Sequence, residues 1–313
     1  MMTFGRIFKV SVFGESHGSA VGVVIDGVPA GLPLSDGDFA SDIDRRRSGA
    51  PGTTPRREAD VPEILSGVYE GHTTGAPLAI VFRNGDTRSE DYASFREDPR
   101  PGHADYVADV KFDGFNDPRG GGHFSGRLTL PLVAAGVVAK KYLSEALEGE
   151  FSIEASLKEL CGSADKASWD GLLEAAAAEG DSIGGVVECR AEWLPAGLGE
   201  PFWDSVESLV SHAVFAIPGV RGIEFGDGFA AAAMKGSEHN DPFPLTAEKN
   251  GAGGVNGGIT NGNPLVFRVA FKPTSSIRKA GVPGRHDVCF ALRTPVVVEA
   301  VTAIVLADLL RIM

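Results

Sequence analysis

Cysteine is scarce in this chain, and the three present, Cys161, Cys189 and Cys289, are far apart and odd in number. They form no metal-ligand or redox spacing, so neither a disulfide framework nor a metal site is expected, and a reducing cytosol is the simplest setting. Long apolar runs are also lacking: no stretch approaches the roughly eighteen residues that a bilayer span needs. Met1 to Val12 alternates polar and apolar residues, without the charged-then-apolar layout of a secretory signal. A cytoplasmic protein with no membrane partner is therefore expected. Positive charge is in the minority, with 29 basic against 42 acidic residues and a net charge of −13. That balance speaks against non-specific nucleic-acid binding. There is no Walker loop and no strand-linked G-x-G-x-x-G, so nucleotide binding through those devices is not expected. No repeat of 20–50 residues and no Ser/Pro-rich linker interrupts the chain.

What is present is ordinary for a folded protein: 313 residues, 43% hydrophobic and 23% charged. The length allows about two average domains or one large one, and without a linker the reading is one domain over residues 1–313. Periodicity gives a mixed α/β pattern. Arg6 to Phe13 and Val21 to Val28 read as a strand pair, Ala76 to Phe82 as a short apolar strand, and Gly185 to Trp193, Val220 to Phe225 and Leu265 to Phe271 as further strands. Ser35 followed by Asp38 resembles a capping box that opens a helix through Ile43. Thr129 to Leu147, with an apolar stripe at Leu132, Ala135, Gly136, Ala139, Tyr142 and Leu143, predicts a strong helix, Lys166 to Glu179 a more exposed one, and Trp203 to Phe215 another. A last helix runs from Pro295, suited to a first helical turn, to Arg311, and its apolar positions are read as core. The order of elements is not the regular β-α-β rhythm of a Rossmann fold.

Chemistry is suggested by two turns that each set a histidine beside glycine, Gly14-Glu15-Ser16-His17-Gly18 and Arg100-Pro101-Gly102-His103-Ala104-Asp105. Histidine titrates near neutrality, so the pair points to proton transfer. The few basic residues are clumped, in Asp44-Arg45-Arg46-Arg47, in Arg56-Arg57 and from Arg119 to Arg127. Cations at a helix C-terminus explain one or two of these through the dipole, but three in a row followed by two more favour a multiply anionic ligand. The segment Arg119-Gly120-Gly121-Gly122-His123-Phe124-Ser125-Gly126-Arg127 leads into the long helix, where free N–H groups favour anions. Glycine also clusters at 226–228, 251–254 and 257–258, for which tight turns are the plainer explanation. Lys272-Pro273-Thr274-Ser275-Ser276 offers a cation and three hydroxyls after a strand, and Gly284-Arg285-His286-Asp287 follows.

In order along the chain, the segments 14–18, 44–47, 100–105, 272–276 and 285–287 resemble the signature segments of the chorismate synthase family, as do Ala196 to Glu200 and Gly226 to Gly228. The likeness covers nearly the whole chain. It implies an α+β fold, a β-α-β sandwich assembled as a homotetramer. It also implies a lyase that converts 5-enolpyruvylshikimate 3-phosphate to chorismate by 1,4-anti elimination of phosphate, with reduced FMN required although no net redox change occurs. By the same resemblance His17 protonates the departing phosphate, His103 keeps the reduced flavin protonated, and Asp287 assists at the flavin N5. Arg47, Arg100, Arg127 and Arg285 match substrate-binding positions. His123, Phe124, Ser125, Pro218, Gly219, Gly257, Lys272, Pro273, Thr274, Ser275, Ser276 and Arg285 match cofactor-binding positions, and Arg46 matches one linked to NADP, which makes NADPH a possible reductant.

Several segments depart from the family pattern. His123-Phe124 stands where the family commonly has Arg-Ser, and Pro218-Gly219 where it has Asn-Ala. Ser48 to Gly52 lacks the usual following arginine, a family insertion between Ser276 and Arg285 is nearly absent, and relatives carry a further tail beyond Met313. Flavin affinity, NADPH use and assembly are the properties these changes touch. Two other functions compete with the elimination: a flavin reductase that has lost it, and a phosphate-binding scaffold without turnover. His17, His103, Arg127 and Asp287 speak against a scaffold, which has no use for proton donors, and no nicotinamide motif supports a reductase.

Overall fold

The structure, a computed structural model, describes residues 2–87, 95–246, 249–282 and 286–313. The first half is built on a five-stranded antiparallel sheet of β1 (Thr3–Phe4), β2 (Lys9–Gly14), β3 (Ala20–Asp26), β4 (Glu63–Ser66) and β7 (Leu78–Arg83), ordered β1-β2-β3-β7-β4. Two short strands, β5 (Val68–Tyr69) and β6 (His72–Thr73), form a hairpin between β4 and β7. In the central pairing Val21 lies opposite Phe82, Val23 opposite Ile80 and Ile25 opposite Leu78. All six are fully buried, as strand alternation requires for residues that share one face.

The second half supplies a four-stranded antiparallel sheet ordered β10-β13-β9-β8, from β8 (Ser152–Leu160), β9 (Gly185–Glu192), β10 (Val220–Phe225) and β13 (Leu265–Phe271). A two-stranded pair, β11 (Val255–Asn256) and β12 (Ile259–Thr260), stands beside it. On the inner face Val187 pairs with Val269, Cys189 with Phe267 and Ala191 with Leu265, all buried.

Between the sheets run two long helices, α3 (Thr129–Ala146) against the first sheet and α7 (Pro295–Ile312) against the second. They pack on each other at Gly136, where an added Cβ would lie 2.3 Å from the Ala300 Cβ and 2.5 Å from its Cα, so only glycine permits this approach. Both helices are buried nearly all round. The stripe expected for α3 widens so that Val133 to Ala139 are all buried, as befits a helix enclosed between layers. The shorter helices are α1 (Ala40–Arg46), α2 (Asp105–Lys111), α4 (Trp169–Glu179), α5 (Val206–Val214), which packs on α7, and α6 (Gly236–His239). The capping box before α1 is present, with Asp38 accepting from the Ser35 N–H at 2.7 Å, although a 3₁₀ turn over Asp36–Phe39 precedes the α-helix proper. Buried apolar residues from both sheets and from α3 and α7 form one continuous core, giving the β-α-β sandwich and the α+β class.

Candidate active site

A cavity of about 960 Å³ opens where six loops converge: the segment after α1, the turn before α2, the glycine loop before α3, the α5–β10 junction, the loop after β13, and the stretch before α7. The β2–β3 turn with His17 packs beside Gly120 of the glycine loop without itself lining the cavity. Both central helices begin beside it. Among the described residues nine arginine or lysine side chains line it against three carboxylates, Glu58, Asp60 and Asp287. In a protein of net charge −13 this is a concentrated positive patch, and it selects anionic ligands.

The run Arg45-Arg46-Arg47 does not act as one cluster, because successive helical residues diverge by about 100°. Arg45 turns away to pair with the buried Glu299 of α7 at 2.6 Å. Arg46 is buried and donates to Asp60 at 2.9 Å, and Arg47 pairs with Asp44 at 2.6 Å at the cavity edge. Arg46, which the resemblance links to NADP, lines the cavity as a buried cation paired with Asp60. Burial, partly offset by Asp60 and deepened by Arg293 and Arg127, brings its pKa down to about 10. Asp60 also binds Arg127 in a very short ion pair, so one carboxylate holds two buried guanidiniums. Burial opposes ionisation of Asp60, but Arg46 and Arg127 outweigh it and keep its carboxyl below the ordinary range. Arg127 Nε donates to Asn84 at 3.0 Å, which leaves Nη2 buried with no hydrogen-bond partner among the described residues.

The two histidines stand on opposite sides of the glycine loop. Gly120, Gly121 and Gly122 all have positive φ. A Cβ on Gly120 would be 2.5 Å from His17 Cδ2, and one on Gly121 would be 3.5 Å from His103 Nε2. His17 is nearly buried in the β2–β3 turn, which the Ser16 N–H ties to the Gly122 carbonyl at 3.3 Å. The Ser16 hydroxyl receives Arg56 Nη1 at 3.0 Å and the Ser125 hydroxyl at 3.1 Å, joining this turn to both neighbouring loops. His103 Nδ1 lies 2.6 Å from Asp105, and Arg100 grips the same carboxylate. Glu58 accepts from Arg56 at 2.6 Å and from the Gly85 N–H at 2.8 Å, anchoring the segment after α1.

On the opposite wall Lys272, Pro273, Thr274, Ser275 and Ser276 all line the cavity, as do Pro218, Gly219, His123, Phe124 and Ser125. Lys272 Nζ donates to the Gly102 carbonyl at 3.1 Å, and burial together with Arg221 lowers its pKa. Ser276 receives Arg100 Nη1 at 3.1 Å, while the buried Thr274 hydroxyl has no partner among the described residues. His123 Nε2 reaches Glu15 at 3.2 Å. Asp287 is held by Arg293 at 2.8 and 3.1 Å and by the Thr54 N–H at 2.9 Å. Gly257 is placed elsewhere, at the tip of the β11–β12 hairpin and outside this cavity. Arg285 lies outside the described residues. Sequence reading did not single out Glu58, Asp60, Asn84, Arg221 or Arg293; Asp60 and Asn84 take their place from Arg127, distant in the chain, and Arg293 from Asp287, six residues before it.

The family model for chorismate synthase matches residues 8–311. The chain belongs to the chorismate synthase family. It is therefore an enzyme, a lyase. The chorismate synthase of Chitinophaga pinensis is 60% identical over 325 residues, an alignment that covers 98% of this chain and 96% of that protein. The chorismate synthase of Opitutus terrae is 44% identical, covering 98% and 95%. A crystal structure of chorismate synthase superposes with a TM-score of 0.76 at 28% identity, covering 98% of this chain and 92% of that one. Among the described residues no helix is long and apolar enough to cross a membrane, and no group of side chains could hold a metal ion.

Proposed function

We propose that this member of the chorismate synthase family eliminates phosphate from 5-enolpyruvylshikimate 3-phosphate in the 1,4-anti sense to give chorismate, with reduced FMN as cofactor. One observation carries the reading: a cavity of about 960 Å³ lined by nine cations and by His103, with His17 set beside the lining residue Gly120. Its volume lies at the upper end of small-molecule sites, about 300–1,000 Å³, which suits a cofactor and a substrate together.

The residues present fit the flavin. Lys272, Ser275, Ser276 and the unpartnered Thr274 hydroxyl offer donors to its polar edge and phosphate, and Phe124, Pro218 and Gly219 offer an apolar wall. When bound, reduced FMN supplies transient electron density to the substrate's unsaturated system. Arg47, Arg100 and Arg127 bind the substrate's carboxylate and phosphate oxygens, and Arg127 Nη2, a buried donor without a hydrogen-bond partner among the described residues, suits an anionic acceptor. His17 gives its proton to the departing phosphate oxygen, which lowers the charge on the leaving group. His103 holds a proton at the cavity side of its ring. Asp287, oriented by Arg293, presents a carboxylate at the flavin side. We further propose a cytoplasmic homotetramer; exposed Phe202, Trp203, Phe229 and Phe243 are apolar surface that assembly would cover. NADPH is a possible reductant.

An anaerobic assay with purified protein, substrate and pre-reduced FMN, followed by chorismate absorbance, tests the reading. Chorismate formation that depends on reduced flavin is expected. Flavin reduction by NADPH without chorismate would install a reductase instead, and neither activity would install a phosphate-binding scaffold.

A further inference from the structure

Asp105 is the first residue of α2, and its carboxylate points back into the turn that carries His103. Oδ1 lies 2.6 Å from His103 Nδ1 and 2.8 Å from Arg100 Nη2, while Oδ2 lies 2.8 Å from Arg100 Nε and 3.1 Å from the Arg100 backbone N–H. The side chain is almost wholly enclosed, at 7% exposure. Arg100 Nη2 is also 3.0 Å from His103 Nδ1. Guanidinium nitrogens only donate, and an ionised carboxylate only accepts. Burial opposes ionisation of Asp105, but Arg100 and His103 outweigh it and hold its carboxyl well below the usual range, so it is an acceptor throughout the neutral region. A 2.6 Å contact with that acceptor requires the hydrogen on Nδ1, and Arg100 and His103 are then two donors around one shared anion. Nε2 is left on the far side of the ring, next to Gly121 of the glycine loop, and His103 itself lines the cavity.

We propose that Asp105 is a positioning residue for the reaction: it fixes His103 as the Nδ1–H tautomer, with Nε2 turned to the cavity, and so determines at which atom His103 exchanges a proton with the bound ligands. This rests on the function proposed above, in which His103 handles a proton. Among the described residues the one other group within reach of Nδ1 is Arg100 Nη2 at 3.0 Å, a longer contact from a guanidinium that already donates to the Asp105 carboxylate at 2.8 Å. Lys272, the cation from the loop after β13, is engaged by the Gly102 carbonyl, and His17 lies on the other side of the glycine loop. A carboxylate can accept from all four donors, but an amide has one oxygen. In Asp105→Asn that oxygen is best used on Arg100, with three donors in reach, and the amide NH₂ then faces Nδ1 and drives the hydrogen to Nε2.

Nitrogen-15 NMR of histidine-labelled protein, free of flavin and substrate and at a pH where the imidazole is neutral, reads the tautomer directly. The native protein is expected to show Nδ1–H for His103, assigned by its loss in His103→Gln, and Asp105→Asn is expected to show Nε2–H. Turnover of Asp105→Asn should fall by about 10²–10⁴-fold, the range for a misplaced general acid or base, with KM within about threefold. Asp105→Glu, which restores the acceptor, should keep the Nδ1–H form and recover turnover at least tenfold over Asn. An Nε2–H tautomer in the native protein overturns the proposal whatever the variants do, as does undiminished kcat in a folded Asp105→Asn or an effect on KM alone. Because the tautomer is read without ligands, it stands or falls separately from the identity of the reaction.

Discussion

Replacing Asp60 by asparagine keeps the shape of the side chain and removes one charge. Arg46 and Arg127, whose side chains are 5% and 4% exposed, then lose the carboxylate that lies between them. Breaking a buried ion pair by deleting one partner costs about 3–5 kcal/mol, because the other charge stays buried and uncompensated. Here two guanidiniums are stranded, and Arg293 adds a third like charge that already disfavours ionised Arg46. The upper half of that range is therefore expected, a loss of about 4–5 kcal/mol and a fall in Tm of roughly 8–15 °C for a chain of this size. Calorimetry at pH 7 measures it. The pH dependence has a definite sign. Asp60 titrates lower when folded than when unfolded, so its contribution is complete above the unfolded value of about 4 and fades as pH falls through the folded value. Native and variant should thus begin to converge in stability as pH falls below about 4 and meet only below the depressed folded value. Inorganic phosphate, as a replacement anion, should raise the Tm of Asp60→Asn more than that of the native protein. A variant within about 1 kcal/mol of native at pH 7, with no extra response to phosphate, would refute the role of Asp60 as the counter-ion.

His17→Ala should lower kcat by about 10²–10⁴-fold with substrate affinity largely kept, checked by steady-state assay; activity within threefold of native would remove it from the mechanism. Gly120→Ala should act on the same residue at a distance, since the new Cβ lies 2.5 Å from His17 Cδ2, and displacement of about 1 Å costs up to 10²-fold in turnover. Gly149→Ala is the matched control: it has the same positive φ but nothing within 4 Å, so it should lower stability by about 1–2 kcal/mol and leave kcat alone. Arg127→Ala should weaken substrate binding more than flavin binding, which titration of each ligand decides.

Sequence periodicity located the long elements well where burial is one-sided or complete. β10 and β13 have the boundaries that alternation suggested, and α7 differs by one residue at its C-terminus. The strand β8 was not anticipated. Its run Ser152-Ile-Glu-Ala-Ser-Leu-Lys-Glu-Leu does alternate, but its outward positions carry Glu and Lys, which depress strand propensity. Those charges suit its place at the edge of its sheet, where they discourage pairing with another chain. In the site, both histidine turns and the Lys272 loop were legible because their chemistry is local. Asp60 was not, since its meaning depends on Arg127, 67 positions away. The triple arginine divides for the opposite reason: its members are adjacent in sequence but diverge at a helix end, so that Arg46 and Arg47 line the cavity while Arg45 turns to Glu299.

A shared logic explains why an acidic chain can maintain this cavity. Each of the three carboxylates that line it, and Asp105 behind its wall, is spent on a cation or an imidazole: Asp60 on Arg46 and Arg127, Asp287 on Arg293, Glu58 on Arg56, and Asp105 on Arg100 and His103. The acids stand behind the bases, so the atoms that reach the cavity are mostly donors. Such donors are oriented before any ligand arrives, and that preorganisation is what electrostatic stabilisation of a departing anion requires. The same arrangement leaves an excess of cations over carboxylates around the empty volume, a repulsion that the fold sustains through its α3–α7 core. An anionic substrate relieves that repulsion, so occupancy and stability are coupled: whatever polyanion this cavity was built to hold must also be the solute that raises its unfolding temperature most.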